Sequence, residues 1–411
     1  MRSVTNNGRD YHWPKRPVVV ICCDGSEPEY MERAMGDRLM PHLKRIIAKG
    51  ENLRGLSAMP SFTNPNNMSI ATGSLPKVHG IGGNYLIDPA TGLETMMNDP
   101  KWLMAETIFA SFQKVGAKVC VVTAKDKLRL LLGKGLKFDG SAICFSAEKA
   151  NLATLNDNGI AEVLSFVGKT LPEVYSADLS EFVFAAGIKL LKRDEPDLMY
   201  LSTTDYVQHK FAPGSAGANS FYKMMDGYIG ALDEAGCTLI IVADHGMKAK
   251  HHADGSPDVI YLQDTLDKQF GIGKTRVILP ITDPYVVHHG ALGSFAQIYL
   301  YGPTVDEAAK FIGAQDGIDV VLPRDEAVKT YGLDAERCGD LIVISGGAKH
   351  SKVIGTSAAK HDLSGLDAPL RSHGGLSEQT IPFISNVKLK SLPSPLHNWD
   401  AFYVGCSCVE A

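Results

Sequence analysis

The sequence lacks any apolar run long enough to cross a membrane. No uninterrupted apolar stretch approaches the roughly 18–20 residues that a spanning helix needs. The N-terminal segment MRSVTNNGRDYHWPKRP is polar and does not contain the apolar centre of a secretory signal. These features predict a protein that has no membrane partner, and we expect it to be cytoplasmic.

The chain also lacks an excess of positive charge and any cysteine pattern typical of metal binding. Its 41 Lys and Arg against 46 Asp and Glu give a formal net charge of −5, so nucleic acid is not an expected partner. A local basic pocket could still bind a small anion. The eight cysteines include no C-x-x-C pair, which favours reduced thiols in a cytoplasmic protein. A disulfide clip between Cys406 and Cys408 is the alternative.

Four short apolar runs indicate the fold class. RPVVVICCD, AKVCVVTA, DLMYLSTTD and CTLIIVAD are rich in Val, Ile and Leu, which is typical of strands buried on both faces of a parallel sheet. Helix-like segments lie between them: MPHLKRIIAKG ends at Gly50 and AETIFASFQKVG ends at Gly116. The alternation predicts an α/β protein with a doubly wound, mostly parallel sheet.

The pattern changes after about residue 250, which indicates an insertion. SFAQIYLYG, DGIDVVLPR and GDLIVISG look like strands of a smaller mixed unit, and RSHGGLSEQTIPF then returns to the character of the core. We therefore predict a first core part over residues 1–254, an α+β cap over 255–362, and a C-terminal core part over 363–411.

Three of the apolar runs end in an acid. Asp24 follows VVVICC, Asp205 follows MYLSTT and Asp244 follows LIIVA. In an open parallel sheet the carboxyl ends of the strands line the crevice where ligands bind. Any one of these acids alone would be read as a turn or cap residue. Three carboxylates gathered at one edge would repel each other unless cations neutralise them.

Histidines accompany these acids. His245 directly follows Asp244, and His209 lies four residues after Asp205, which places both side chains on one face of a helical turn. His373 lies in the small-residue segment SHGG. Carboxylates and imidazoles without thiolates suit Zn²⁺ or Mn²⁺. Six such ligands are too many for one tetrahedral ion, so we predict two metals about 3.5–4 Å apart.

The remaining histidines considered do not fit this pattern and are expected on loops or in the cap: His251, His252, His288, His289, His350 and His361.

A nucleophile is expected among the same loops. MPSFTNPNNMSIATG presents Thr63 before Asn64 and Pro65, with a helix predicted to begin near Met68. A hydroxyl at a helix N-terminus feels the positive end of the helix dipole, and metal coordination would lower its pKa. Without the metal set, Thr63 would be read as an N-cap residue.

The order of these residues resembles the alkaline phosphatase superfamily, in its nucleotide pyrophosphatase/phosphodiesterase-like branch. The match covers the core from Pro17 to about residue 250 and again from about 365 to 385. The resemblance implies two Zn²⁺ ions per chain, with Mn²⁺ or Fe²⁺ less favoured. One zinc would be held by Asp24, Thr63, Asp244 and His245, and the other by Asp205, His209 and His373.

Two further segments bear on the substrate. HGIGGNYLID places Asn84 in a glycine-rich turn, where its amide could donate to a phosphoryl oxygen. TAKDKLRLLLGKGL places Lys125 and Lys127 after a strand, and residues two apart in an extended chain face the same way. Both ammonium groups are therefore expected to point into the crevice and to bind a carboxylate beside the phosphorus. A solvated basic edge is the alternative.

The segments AKDKLRLLLGKG, SFTNPNN and GGNYLIDP are similar to the members of this superfamily that hydrolyse carbon–phosphorus bonds. That similarity implies a small phosphonate substrate contacted by Thr63, Asn84, Lys125, Lys127 and His209. Thr63, or a water in its place, would attack the phosphorus, and His209 or a water would assist protonation of the departing carbon. A phosphothreonine intermediate and direct water attack both stay open.

Two other functions compete with this interpretation. A phosphodiesterase or nucleotide pyrophosphatase with the same metals predicts an aromatic side chain that stacks on a base, for which Phe62 and Tyr85 are the candidates. A metal- or phosphonate-binding protein without turnover is disfavoured by the presence of Thr63 and of the full ligand set. A monomer and a homodimer are both compatible with the sequence.

Overall fold

The computed structural model describes residues 2–283, 290–347, 351–361, 363–364 and 366–410. His288, His289 and His350, which were expected on loops or in the cap, lie outside the described residues.

The strands of the described chain lie mainly in one large and one smaller sheet. In chain order they are β1 (Ser3–Asn6), β2 (Arg9–His12), β3 (Val18–Cys22), β4 (Glu51–Leu56), β5 (Tyr85–Ile87), β6 (Glu94–Met96), β7 (Val119–Thr123), β8 (Ala142–Ser146), β9 (Leu198–Ser202), β10 (Thr238–Val242), β11 (Lys248–Ala249), β12 (Val259–Tyr261), β13 (Thr275–Ile278), β14 (Phe295–Leu300), β15 (Ile318–Pro323), β16 (Leu341–Ser345), β17 (Val353–Gly355), β18 (Arg371–Ser372) and β19 (Thr380–Ser385).

The α-helices vary from single turns to nineteen residues. In chain order they are α1 (Pro28–Gly36), α2 (Pro41–Lys49), α3 (Thr63–Thr72), α4 (Pro76–His79), α5 (Ile108–Lys114), α6 (Asp126–Leu132), α7 (Leu155–Asn158), α8 (Val163–Val167), α9 (Asp178–Asp194), α10 (Tyr206–Lys210), α11 (Ala216–Glu234), α12 (Leu262–Phe270), α13 (Val305–Gly313), α14 (Arg324–Tyr331) and α15 (Ala401–Ser407). Short 3₁₀ helices occupy Pro100–Trp102, Ala150–Leu152, Ala358–Lys360, Leu376–Glu378 and Asn398–Asp400. Among the described residues, no helix combines the length and the apolar character needed to span a bilayer.

A seven-stranded sheet forms the centre of the molecule. Its strand order is β4-β19-β10-β3-β9-β7-β8, and β10, β3, β9, β7 and β8 are parallel neighbours. Only β19 runs antiparallel to its neighbours β10 and β4. The register aligns Cys22 of β3 with Val242 of β10 and Ser202 of β9, so these three strands end at the same level.

Both faces of this sheet are covered by helices, as the continuous apolar runs predict. Along β3, Val19 and Ile21 pack in one hydrophobic cluster with residues of α1, α2, α9 and α11. Val18, Val20 and Cys22 pack in a second cluster with residues of α3, α5, α6 and α15. This alternation of one strand between two cores confirms the predicted doubly wound, mostly parallel α/β fold.

A smaller four-stranded antiparallel sheet follows, in the order β13-β14-β16-β15. The three apolar runs predicted to form strands there correspond to β14, β15 and β16. Its hydrophobic cluster contains residues of α12, α13 and α14, together with Met59 and Phe62 from the first part of the chain. The exact limits of the cap, 255–362, stay a prediction.

The cysteines do not pair within the described chain. Cys406 and Cys408 are both free thiols, and the clip considered from the sequence is not formed.

Candidate metal and anion site

Three acids converge at the carboxyl edge of the central sheet. Asp24 follows β3, Asp205 follows β9 and Asp244 follows β10, and these three strands are adjacent. The turn after β3 needs glycine, since Gly25 has φ +67° and a Cβ there would lie 2.9 Å from the Asp205 Cβ. The Gly25 amide donates to Asp244 Oδ1 at 3.2 Å. The strand register therefore brings together the acids that the sequence singled out.

These acids form two groups with histidines, and His245 belongs to both. One ligand atom from each of Asp24, Asp244 and His245 lies within 4.8 Å of the others, and the same holds for Asp205, His245 and His373. The rings of His245 and His373 stack with a centroid distance of 3.7 Å and an interplanar angle of 6°. The two groups are therefore contiguous, as a two-metal site would be.

His209 joins the second group from α10. Its Nε2 lies 2.9 Å from Asp205 Oδ2, which agrees with the predicted shared face of Asp205 and His209. His373 Nε2 lies 3.7 Å from the same oxygen. The second predicted ligand set, Asp205, His209 and His373, is thus assembled around one carboxylate.

The histidine tautomers are fixed by backbone carbonyls. In each case Nδ1 lies 2.8–2.9 Å from a carbonyl oxygen and must donate to it: His209 to Arg371, His245 to Gly246, and His373 to Ser61. Because Nδ1 carries the proton, Nε2 presents its lone pair towards the carboxylates. An imidazole oriented in this way by its other nitrogen is typical of a metal ligand.

The acid cluster is electrostatically unfavourable without cations. Burial raises the pKa of Asp24 well above its ordinary value, and the charges of Asp205 and Asp244 raise it further. Burial likewise raises the pKa of Asp244.

The donor set fits divalent metal ions. Asp24 Oδ1 is buried and makes no hydrogen bond to the described residues. An orphaned carboxylate oxygen beside an imidazole Nε2 at 3.4 Å is the arrangement that a shared cation would satisfy. Oxygen and nitrogen ligands without thiolates suit zinc.

Thr63 lies at the first residue of α3, beside the acid cluster. The prediction that this helix begins near Met68 is wrong, because α3 begins at Thr63 itself with Phe62 as N-cap. Pro65 lies in the first turn, where no intrahelical N–H is required, and so does not delay the helix. Thr63 Oγ1 lies 3.2 Å from His245 Nε2. Its hydroxyl therefore faces the group that contains Asp24, Asp244 and His245.

A cavity of about 170 Å³ opens beside Thr63. Its wall combines side chains of the central α/β unit with two residues that follow β13. The lining residues are Asp24, Phe62, Thr63, Asn64, Asn84, Met96, Asn98, Thr123, Lys125, Lys127, Leu128, Glu148, Val174, Tyr175, Thr203, Thr204, Asp205, Ile281, Asp283 and His373.

Asn84 lies in this wall. Its amide Nδ2 donates to the Ile281 carbonyl at 3.3 Å, which employs one of its two N–H groups.

The two lysines reach the cavity by a different route from the one expected. They do not lie two apart in extended chain, because α6 begins at Asp126, so Lys125 precedes the helix and Lys127 lies in its first turn. Both side chains nevertheless line the cavity. The turn into α6, and not an extended segment, therefore brings both ammonium groups to one cavity.

The surroundings of the two lysines differ. Lys125 Nζ donates to the Val174 carbonyl at 3.2 Å and lies 5.3 Å from the centre of the Tyr175 ring. Burial lowers the pKa of Lys125, against the opposing charges of Glu148, Asp205 and Asp24. Lys127 Nζ contacts both oxygens of Asp283, at 2.9 and 3.0 Å. Neither arrangement is the solvated basic edge considered as the alternative.

Sequence reasoning missed residues that support the acids. Asn67, one helical turn after Thr63, donates from Nδ2 to Asp244 Oδ2 at 3.1 Å. Its Oδ1 accepts from the Tyr200 hydroxyl at 2.7 Å and from the Ser202 hydroxyl at 2.9 Å. The i, i+4 spacing from Thr63 was the available signal for Asn67. Asp283 and Tyr175 had no such signal, because only the fold brings them to the cavity.

The candidate base-stacking aromatics are not presented as a platform. Phe62 is 1% exposed and packs edge-on against Phe295 and His373. Tyr85 is not among the cavity-lining residues, and its hydroxyl donates to Glu94 at 3.1 Å.

The fold, together with the cluster of acids and histidines at the strand ends, defines the class of protein. The family described as type I phosphodiesterase / nucleotide pyrophosphatase matches residues 18–349, and the chain belongs to this family, within the alkaline phosphatase superfamily. The resemblance inferred from the spacing of the acids, threonine and histidines is thereby confirmed.

Solved structures of individual proteins are also similar to this chain. The chain is 57% identical to phosphonoacetate hydrolase from Sinorhizobium meliloti 1021, whose structures contain phosphonoacetate or phosphonoformate. The match covers 99% of this chain and 98% of that one, with a TM-score of 0.95. Murine ectonucleotide pyrophosphatase / phosphodiesterase 5 shares the fold at 19% identity, with a TM-score of 0.63 over 95% of this chain and 94% of that one.

Two curated relatives are longer. An ectonucleotide pyrophosphatase/phosphodiesterase of Caenorhabditis elegans is 23% identical over 345 residues, which is 80% of this chain and 38% of that protein. Family member 3 from Bos taurus is 25% identical over 255 residues, which is 56% of this chain and 25% of that protein. The chain thus spans well under half the length of these relatives.

Proposed function

We propose that the protein hydrolyses the carbon–phosphorus bond of phosphonoacetate and releases acetate and phosphate. The observation that carries the proposal is one small cavity whose lining includes Asp24, Asp205 and His373 from the cluster of acids and histidines, together with Lys125 and Lys127. We call that cluster the acid end and the two lysines the lysine end. At about 170 Å³ the cavity is below the roughly 300–1,000 Å³ typical of sites for larger ligands, which favours a small ligand. The 57% identity to a phosphonoacetate hydrolase supports the same substrate.

The acid end would hold two zinc ions. In this proposal Asp24, Thr63, Asp244 and His245 ligate one ion, and Asp205, His209 and His373 ligate the other. When bound, the ions would neutralise the buried carboxylates, polarise the phosphoryl oxygens and lower the pKa of the Thr63 hydroxyl. Asn67 keeps Asp244 oriented through its 3.1 Å hydrogen bond.

Thr63 attacks the phosphorus in this proposal. Its place at the start of α3 puts the oxygen at the positive end of the helix dipole, which favours the deprotonated form. The P–C bond breaks as the new P–O bond forms, and the bonding electron pair passes to the departing carbon. A water then hydrolyses the phosphothreonine. Direct attack by water in place of Thr63 is the alternative.

The lysine end stabilises the leaving group. Negative charge on the departing carbon spreads onto the adjacent carboxylate, and ammonium groups fixed beside that carboxylate lower the barrier. Lys125 and Lys127 hold this position, and Asn84 donates its remaining N–H to a phosphoryl oxygen. Water supplies the proton to the carbon, because both nitrogens of His209 already face partners, Asp205 and the Arg371 carbonyl.

The test is product release from phosphonoacetate by purified protein, with chelator and with zinc added back. We expect acetate and phosphate in equal amounts, lost with chelator and restored by zinc. A folded, zinc-loaded protein that leaves phosphonoacetate intact but cleaves nucleotide or aryl phosphodiesters would overturn the proposal and assign the phosphodiesterase function instead. Metal binding without turnover of phosphonoacetate or of phosphodiesters would indicate the non-catalytic alternative.

A cytoplasmic location and the choice between monomer and homodimer stay predictions. Cell fractionation tests the first, and light scattering of the purified protein tests the second.

A further inference from the structure

The Lys127–Asp283 ion pair joins two parts of the molecule across the cavity. Lys127 lies in α6, beside the central sheet, whereas Asp283 follows β13 of the smaller sheet. The Lys127 Nζ lies 2.9 Å from one Asp283 oxygen and 3.0 Å from the other. Both residues line the cavity that contains Thr63 and Asp205. A carboxylate of the chain itself therefore lies on a lysine to which the proposed function assigns the substrate carboxylate.

The chemistry of the two carboxylates is alike. An aspartate side chain ends in a CH₂–COO⁻ group, which is the same group that phosphonoacetate carries on its phosphorus and that is released, once its carbon is protonated, as acetate. Asp283 thus presents to Lys127 a group of the same size and charge as the organic half of the substrate.

This ion pair is suited to exchange. The side chain of Lys127 is 34% exposed and that of Asp283 is 13% exposed. A partly exposed ion pair contributes little to stability, so an incoming carboxylate can replace it at small cost. By contrast, the buried pair of Lys250 and Glu378, at 1% and 0% exposure, would be expensive to break.

We propose that Asp283 is a specificity-determining residue that occupies the carboxylate subsite until the substrate displaces it. The inference rests on the proposed function, because it assigns to Lys127 the substrate carboxylate. A ligand that carries a carboxylate exchanges with Asp283 on Lys127. A phosphonate or phosphate ester without a carboxylate leaves the pair intact and gains nothing from Lys127. Asp283 also competes with acetate, and so promotes release of that product.

The test is Asp283→Asn, which keeps the shape of the side chain and removes its charge. We expect the KM for phosphonoacetate and the dissociation constant for acetate each to fall about two- to fivefold, the factor that a partly exposed ion pair carries. The dissociation constant for inorganic phosphate, which has no carboxylate, should stay within about 1.5-fold. Asp283→Glu should stay closer to the parent protein, because it keeps the charge.

Asp258→Asn provides the matched control. Asp258 is a carboxylate of the same sequence region, lies 2.8 Å from Lys352 Nζ, and does not line the cavity. The Asp258→Asn variant should leave unchanged the KM for phosphonoacetate and the dissociation constants for acetate and inorganic phosphate.

Three results would overturn the inference: an unchanged or raised KM, an unchanged acetate affinity, or a gain in phosphate affinity equal to the gain in acetate affinity. The last result would mean that Asp283 acts only as a distant negative charge. Acetate and phosphate binding are measured by calorimetry on zinc-loaded protein, so they decide the inference without turnover. Absence of phosphonoacetate cleavage by the parent protein would instead count against the proposed function.

Discussion

The two ends of the cavity solve the problem of buried charge in opposite ways. At the acid end, Asp24 and Asp244 are almost fully buried, and burial raises both of their pKa values, so the fold alone disfavours their charged forms. At the lysine end, each ammonium group already has a partner within the chain: Val174 for Lys125 and Asp283 for Lys127. The acid end therefore requires cations from outside, whereas each lysine of the lysine end already contacts a group of the chain before any ligand arrives.

This difference separates the part of the site that any phosphoryl substrate would use from the part that selects one substrate. A cluster that needs metal ions serves any substrate with a phosphoryl group, which agrees with membership of a phosphodiesterase family. A lysine that is internally paired can select only a ligand that competes for it. We therefore expect changes at the acid end to remove all activity, and changes at the lysine end to alter which substrate is used.

Metal removal should have the largest effect. A chelator should abolish turnover of every substrate, since the acid end serves them all. It should also lower Tm by about 5–10 °C, because a ligand at a thousand times its Kd stabilises by about 4 kcal/mol. Calorimetry and an activity assay check both effects, and added zinc should reverse them. An unchanged Tm and rate after complete zinc removal would contradict the role assigned to the acid end.

Thr63→Ala should have the second largest effect. We expect kcat to fall by about a thousandfold or more for phosphonoacetate and for aryl diesters alike, because the attacking oxygen is lost. Zinc content, measured by mass spectrometry, should persist at the group formed by Asp205, His209 and His373.

Thr63→Ser is the control for this change and should retain most of the activity, since it keeps the hydroxyl. Turnover by the alanine variant within about tenfold of the parent would favour direct attack by water.

Lys127→Ala should distinguish the two ends most sharply. Turnover of phosphonoacetate should fall by about a hundredfold or more, the scale seen when one electrostatic donor to a developing charge is removed. Metal content should be unchanged, and turnover of a simple aryl phosphodiester should be nearly unaffected. Lys352→Ala, at a lysine outside the cavity, serves as the control. An equal loss on both substrates would show that Lys127 does not recognise the carboxylate.

Asp24→Asn should have the smallest effect of these changes. It should raise the Tm, whereas metal removal lowers it. In metal-free protein it should raise Tm by roughly 2–4 °C at pH 8, because it removes a buried charge that lies beside those of Asp205 and Asp244. A raised folded-state pKa means that metal-free parent protein loses stability as pH rises through that pKa, so the difference should shrink on acidification.

Lys127→Met offers the comparison for this measurement, since it breaks a partly exposed ion pair and should change the metal-free Tm by about 1 °C or less. A metal-free Asp24→Asn protein that is less stable than the parent at pH 8 would contradict the electrostatic description of the acid end.

The acid end could be predicted from the sequence because it depends on local order. Asp24, Asp205 and Asp244 each follow a continuous apolar run, and parallel strands end at one edge of a sheet. The Asp205–His209 spacing likewise specifies a shared helical face. Sequence order could not show that His245 lies between both ligand groups, because that depends on the stacking of His245 on His373 across the fold.

The lysine end could be predicted only in part. Lys125 and Lys127 were assigned to the cavity by an extended geometry that the structure replaces with the start of α6. Asp283 lies far from both lysines in sequence. Nothing in the local sequence of an acid that follows a strand of the smaller sheet indicates its ion-pair partner. The predicted start of α3 near Met68 is too late, because proline is tolerated in a first turn and the helix begins at Thr63, before Pro65.

The most direct test of the two-ended cavity is a crystal structure of the zinc-loaded Thr63→Ala variant with bound phosphonoacetate, including anomalous scattering at the zinc edge. We expect two zinc peaks, one at Asp24, Asp244 and His245 and one at Asp205, His209 and His373. We further expect the phosphoryl group at the zinc ions and the carboxylate on Lys125 and Lys127. A ligand bound the other way round, with its carboxylate on the metals, would contradict the roles assigned to the acids and the lysines.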